Sequence, residues 1–241
     1  MTRTLDDARR WMQQGAALIS NALEDLDEGD FAAEIQLPGW TRGHLVAHLC
    51  ANADAIGNLV RWAATGEPTP MYASQAQRNA DIEAGSQKPG SELTQSFNRS
   101  AVHLDEAMGN LAAAQWNVAV LNAQGRTVPA SETPWMRSRE VMVHGVDLDA
   151  GIGFSDLPAD FLAALCSDIA DKRSEAGGSE SAGPALVLAA TDTDDRWIVV
   201  GTGSAVRATG TVADLAAYLA GRGSAGVEAD GSGTPALAAW L

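Results

Sequence analysis

The sequence predicts an α + α/β protein: an N-terminal four-helix bundle over residues 1–152 and a smaller α/β domain over residues 153–241. Three observations carry that reading. Before residue 150, four long segments repeat apolar residues at three- and four-residue intervals, the period of a helix with one buried face. After it, short β-rich runs bounded by turn residues take over. The composition is 46% hydrophobic but only 5% aromatic, and alanine is abundant, which suits helices that approach one another closely.

The first helix is expected over residues 5–27, where Leu5, Ala8, Trp11, Met12, Leu18, Ile19, Ala22, Leu23 and Leu26 fall at helical intervals. Thr4 reads as its N-cap and Gly29 as its stop. A turn at Pro38-Gly39-Trp40 leads to Thr41, which caps a second long helix running to Gly66. A Pro-rich loop, Glu67 to Pro70, precedes a short helix near residues 74–84. Leu93, Phe97, Leu104, Met108 and Leu111 form the stripe of a third long helix over 91–113, opened by Pro89-Gly90. Residues 116–130 read as irregular or extended; Ser131 then starts the fourth long helix, with Pro134 in its first turn and an end near Gly151. Long helices joined by short to medium connections predict an antiparallel bundle.

Beyond it, one helix is expected over 159–175, then a flexible stretch, GGSESAGP, and the strand-like runs ALVLAA, RWIVVG and AVRATG. Thr211 and Asp214 have the spacing of a capping box for a last helix. Gly201-Thr202-Gly203 lacks the third glycine and the following helix of a nucleotide loop, so it reads as a hairpin turn. The tail from Glu228 is expected to be loosely ordered up to Trp240-Leu241.

Charge and cysteine usage remove several function classes. Thirty-one acids against sixteen bases give a net charge of -15, with no Lys/Arg run, so neither a nucleic acid nor an anionic membrane is an expected partner. No segment reaches the roughly 18 apolar residues of a spanning helix, and the N-terminus has no signal core; a cytoplasmic protein is expected. Cys50 and Cys166 have neither metal-finger nor disulfide-framework spacing. A monomer or weak oligomer is expected.

The chemistry lies in two spacings. His44 and His48 are four apart on the second long helix, and Glu140 and His144 are four apart on the fourth. Residues at i and i+4 share a helical face, and a bundle core collects such side chains from facing helices into metal sites. Two imidazoles and one carboxylate leave a tetrahedral position open, as in catalytic zinc sites. Either pair alone also describes surface residues or a hydrogen-bonded core histidine. His44, next to the cap, is a ligand, a supporting group or a charge at the helix start; His103 lies off the apolar stripe and reads as a surface residue.

The runs GWTRGHLVAHL, WAATGEPTPMY and QGRTVPASETPWMRSREVMVHGVDL closely resemble the mycothiol-dependent maleylpyruvate isomerases, DinB-like metal-binding helical bundles. The C-terminal ATGTVADLAAYLAGRGSAGV resembles that family's small, sterol-carrier-like domain, so the likeness spans nearly the whole chain. The stretch from Gln124 to Leu148 is its specific part. The resemblance implies metal ligands at His48, Glu140 and His144, a catalytic role for Arg222, and a divalent metal, zinc first. It also implies mycothiol or another low-molecular-weight thiol as cosubstrate. The activity it implies is conversion of maleylpyruvate to fumarylpyruvate in aromatic-acid (gentisate) breakdown, by thiolate addition, bond rotation and elimination. The substrate is a dianion, so arginines must hold it; Arg78 and Arg137 join Arg222 as candidates by position, Arg137 because it precedes Glu140 by three residues. Because the thiol is imported, neither cysteine is needed. Two other readings stay open: a thiol S-transferase of detoxification, and a non-catalytic metal- or thiol-binding module whose fourth position a residue such as His44 closes.

Overall fold

The structure is a computed structural model that describes residues 3–175, 183–231 and 233–240. Contacts divide it into two compact units, Thr4–Ile152 and one built on Gly153–Leu241.

In the first unit the expected helices form as α1 (Leu5–Glu24), α2 (Arg42–Thr65), α3 (Gln75–Ser86), α4 (Gly90–Gly109) and α5 (Thr133–Asp147). Helix α1 packs on α5 and α2 on α4; contacts between α2 and α5 and between α1 and α4 close the four-sided bundle, and α3 lies along α2. The caps follow the sequence. Thr4 and Asp7 form one capping box, and Thr41 forms another with the third residue of α2, His44. Gly66 ends α2 in the left-handed conformation. Two boundaries differ from expectation. Helix α1 stops at Glu24, because Asp27 opens a separate 3-10 turn, Glu28–Ala32, that contains Gly29. Helix α5 starts at Thr133 rather than Ser131, after a 3-10 turn at Ala130–Glu132.

The bundle interior is filled by Leu45, Leu49, Ile56, Leu59, Leu93, Phe97, Met108, Trp135 and Met142, all essentially without solvent contact. Gly15 sets the α1–α5 approach: a Cβ there would stand 2.5 Å from Cγ2 of Val141. The segment before α5 forms a small antiparallel hairpin of β1 (Ala119–Leu121) and β2 (Thr127–Pro129), which inserts Val120 into the core.

The second unit contains α6 (Ala159–Glu175), β3 (Pro184–Ala190), β4 (Arg196–Val199), β5 (Thr202–Gly210), α7 (Val212–Leu219) and β6 (Glu228–Ala229). The sheet order is β4-β3-β5-β6; β3 pairs antiparallel with β4 and parallel with β5. Residues 201–203 are therefore not a hairpin turn, because β4 and β5 are not neighbours. The chain passes from β4 to β5 across the start of β3, and Gly201 is required there, since a Cβ would lie 2.4 Å from the Gly183 carbonyl oxygen. The tail is more ordered than expected: β6 pairs with β5, Tyr218 donates to the Pro235 carbonyl, and the Trp240 amide donates to that of Ala220. Most of the GGSESAGP stretch, and Leu241, lie outside the described residues; its Pro184 begins β3. Among the described residues no helix is long and apolar enough to cross a membrane.

Candidate metal centre

Helices α2 and α5 face one another in the bundle, and this brings together three side chains. His48 from α2 and Glu140 and His144 from α5 each offer one donor atom, and the three atoms lie within 4.8 Å of one another. Nε2 of His48 is 3.0 Å from Glu140 Oε2, and Nε2 of His144 is 3.4 Å from the same oxygen. The imidazoles meet edge to face, 5.2 Å between centroids, and both are buried. Trp40, from the turn before α2, packs on His48 at 5.4 Å.

The far side of each imidazole is also engaged. His144 Nδ1 donates to Oδ2 of Asp147, itself buried, at 2.8 Å. This is the arrangement in which a carboxylate fixes the tautomer and orientation of a metal-binding imidazole. His48 Nδ1 lies 3.1 Å from Nη2 of Arg78 on α3. A guanidinium only donates, so this nitrogen accepts and the proton of His48 sits on Nε2, pointing at Glu140.

Proton affinities follow from these contacts. Burial works to lower the pKa of His144, but Asp147 and Glu140 override it and raise the pKa to about 9. Burial works to raise the pKa of Glu140, yet hydrogen bonds from His144 and His48 hold it well below the usual carboxylate range. Burial outweighs Glu140 at His48 and lowers its pKa. The cluster is thus a half-buried carboxylate held by a buried imidazolium and a buried neutral imidazole, a charge pattern a divalent cation replaces well. Two nitrogens and a carboxylate oxygen on rigid helices fit such an ion and leave one position free. Glu140 fits as it stands, and His144 fits once its Nε2 proton is lost, Asp147 keeping the proton on Nδ1. At His48 an ion on Nε2 moves the proton to Nδ1, where Arg78 cannot accept it, so Arg78 must let go.

Within the Thr4–Ile152 unit, the structure does not bring His44, His103 or Arg137 to this cluster. His44 Nδ1 accepts from Thr41 in the capping box and its Nε2 pairs with Glu83 at 3.3 Å, so its role is in the cap. His103 is exposed. Arg137 turns into the core, where Nη1 donates to the Leu49 carbonyl and Asn52 Oδ1. Arg222 donates to the carbonyls of Ala220 and Trp240 within the second unit. Both thiols are raised by burial, Cys50 to about 11 and Cys166 further, so neither is a nucleophile at neutral pH. Sequence reasoning missed Asp147 and Trp40. Asp147 follows His144 by three residues, a helical-face spacing that signals it; Trp40 carries no signal beyond its place in a turn.

A His–Glu–His cluster between facing helices of a four-helix bundle defines a class, the helical-bundle proteins whose core side chains could hold a metal ion. Residues 12–149 match the model of the mycothiol maleylpyruvate isomerase N-terminal domain, and the chain belongs to that family. A crystal structure of the mycothiol-dependent maleylpyruvate isomerase is similar to it over 100% of both chains, with 39% sequence identity and a TM-score of 0.92. A histidine-to-alanine mutant of the mycothiol-dependent maleylpyruvate isomerase aligns equally fully, at 38% identity and a TM-score of 0.92. No curated protein matches the chain significantly.

Proposed function

We propose that this chain isomerises maleylpyruvate to fumarylpyruvate with mycothiol as cosubstrate, at a zinc site formed by His48, Glu140 and His144. The carrying observation is the convergence of those three donors in a chain that resembles a mycothiol-dependent maleylpyruvate isomerase along its whole length. A divalent ion held by His48, Glu140 and His144 would supply Lewis acidity that lowers a thiol's pKa, so that thiolate would be available at neutral pH, where a free thiol is only a few per cent ionised.

The protein's own groups do the rest. Asp147 keeps the proton of His144 on Nδ1 and so keeps Nε2 free to bind. Trp40 packs edge to face against His48 and covers that side of the imidazole. Arg78, released from His48 when the proton shifts, becomes a donor for a substrate carboxylate beside the centre, and Arg222 is the second arginine we assign to the dianion. Thiolate addition to the conjugated alkene turns the double bond into a single bond; rotation and loss of the same thiolate give the trans isomer, so thiol is regenerated.

The test is turnover of maleylpyruvate with and without added mycothiol, following both product and free thiol. Turnover that needs thiol but does not consume it is expected. Stoichiometric thiol loss would instead identify an S-transferase. His48→Ala protein should lose both metal and turnover, and full metal occupancy in it would remove His48 from the site.

A further inference from the structure

Arg137 is a buried cation without an anion. It is 1% exposed, and its two hydrogen bonds, each 2.8 Å, go to neutral oxygens, the Leu49 carbonyl and Asn52 Oδ1. Nη2 is buried with no hydrogen-bond partner, and Cζ lies 6.0 Å from the centroid of Phe97. Burial lowers its pKa only to about 10, so the guanidinium stays charged at neutral pH. The titratable groups that face it are Glu140, one helical turn along α5, with Cys50 and Asp54 on α2 and Tyr72 from the loop before α3. None forms an ion pair with it within 4 Å among the described residues. A charge in a core with no ion-pair partner is costly and calls for a reason.

The charge balance of the neighbouring cluster supplies one. Glu140 and Asp147 cancel a divalent ion, and Arg137 then adds one fully buried positive charge in excess, Arg78 beside the centre being only half-buried. We infer that Arg137 is a positioning residue whose buried, unpaired charge makes the open position of the metal centre select an anion, the thiolate sulfur, over a neutral ligand. It needs no contact to do so, because charges several ångströms apart in a protein interior couple strongly enough to shift an equilibrium about tenfold. The inference rests on the reading of the preceding subsection and deepens it.

The test uses the full chain loaded with cobalt(II), whose visible spectrum reports ligands at the open position. Thiocyanate serves as the anionic probe and imidazole as the neutral one. Arg137→Gln should weaken thiocyanate about tenfold and leave imidazole affinity and metal content unchanged, whereas Arg137→Lys should keep thiocyanate near the wild-type value. Asn52→Leu removes a hydrogen bond but not the charge, and should preserve the preference for thiocyanate even if Arg137→Gln fails to fold. Equal thiocyanate affinity in Arg137→Gln overturns the inference while leaving the metal centre intact. Loss of the preference in Asn52→Leu or Arg137→Lys also overturns it, since bonding geometry and not charge would then be responsible. A wild-type protein that binds neither probe overturns the reading of the centre itself, and this inference with it.

Discussion

At the scale of single residues, Asp147 shows how a side chain off the donor set controls it. Its carboxylate holds the Nδ1 proton of His144, and so determines which nitrogen of that ring faces Glu140. Asp147→Asn should weaken metal binding about 10–100-fold without unfolding the bundle, as measured by competition with a chromophoric chelator. The same pair governs the pH response of the metal-free protein. The pKa of His144 is raised from 6.5 to about 9, so its stabilising charge is fully present below pH 6.5 and is lost as pH rises through 9. His48, with a lowered pKa, opposes that fall only near pH 6.5, where the unfolded chain still releases its proton, and adds no slope well above it. Thermal melts in chelator should therefore fall in midpoint between pH 6.5 and 9, and Asp147→Asn should flatten that fall. Asp147 was within reach of sequence reasoning, three residues from His144. Spacing alone does not assign it, because an acid near a helix end is usually solvated, and its burial is a property of the packed bundle.

At the scale of elements, the centre depends on how closely α5 is held. Gly15 lets α1 lie against Val141, and Val141 adjoins Glu140 on α5. Gly15→Ala gains helix propensity but drives a Cβ into a branched side chain, and overpacking of this kind costs about 1–3 kcal/mol. A lower thermal midpoint is expected, and an unchanged or higher one would show that α1 shifts without strain. Element identity was largely legible, because caps and apolar periodicity are local: Thr4, Thr41, Gly66 and Thr211 mark boundaries with side-chain chemistry that acts within four residues. Strand neighbours were not. Gly201-Thr202-Gly203 has the composition of a hairpin turn, but the parallel pairing of β3 with β5 is decided by contacts between segments and makes it a crossover.

At the scale of the molecule, all three donors lie in the Thr4–Ile152 unit, and Arg222 lies in the other. A fragment ending at Ile152 should bind about one equivalent of divalent metal and have no isomerase activity, by elemental analysis and by the thiol-dependent assay. Activity in the fragment would remove Arg222 from the mechanism. The net charge of -15 cannot attract a dianion, and salt screens it beyond about 8 Å, so recognition falls to a few placed arginines. The sequence by itself determined which segments are helices and strands and which residue types could serve as donors, since periodicity, capping and spacing are written over a few residues. Only the tertiary structure decided that His48 meets Glu140 across 92 residues of chain, that His44 is spent on a helix cap, and that Arg137 lies in the core without an anion. Those outcomes depend on which helix faces which, and that is settled by the burial of whole faces against one another rather than by any local pattern.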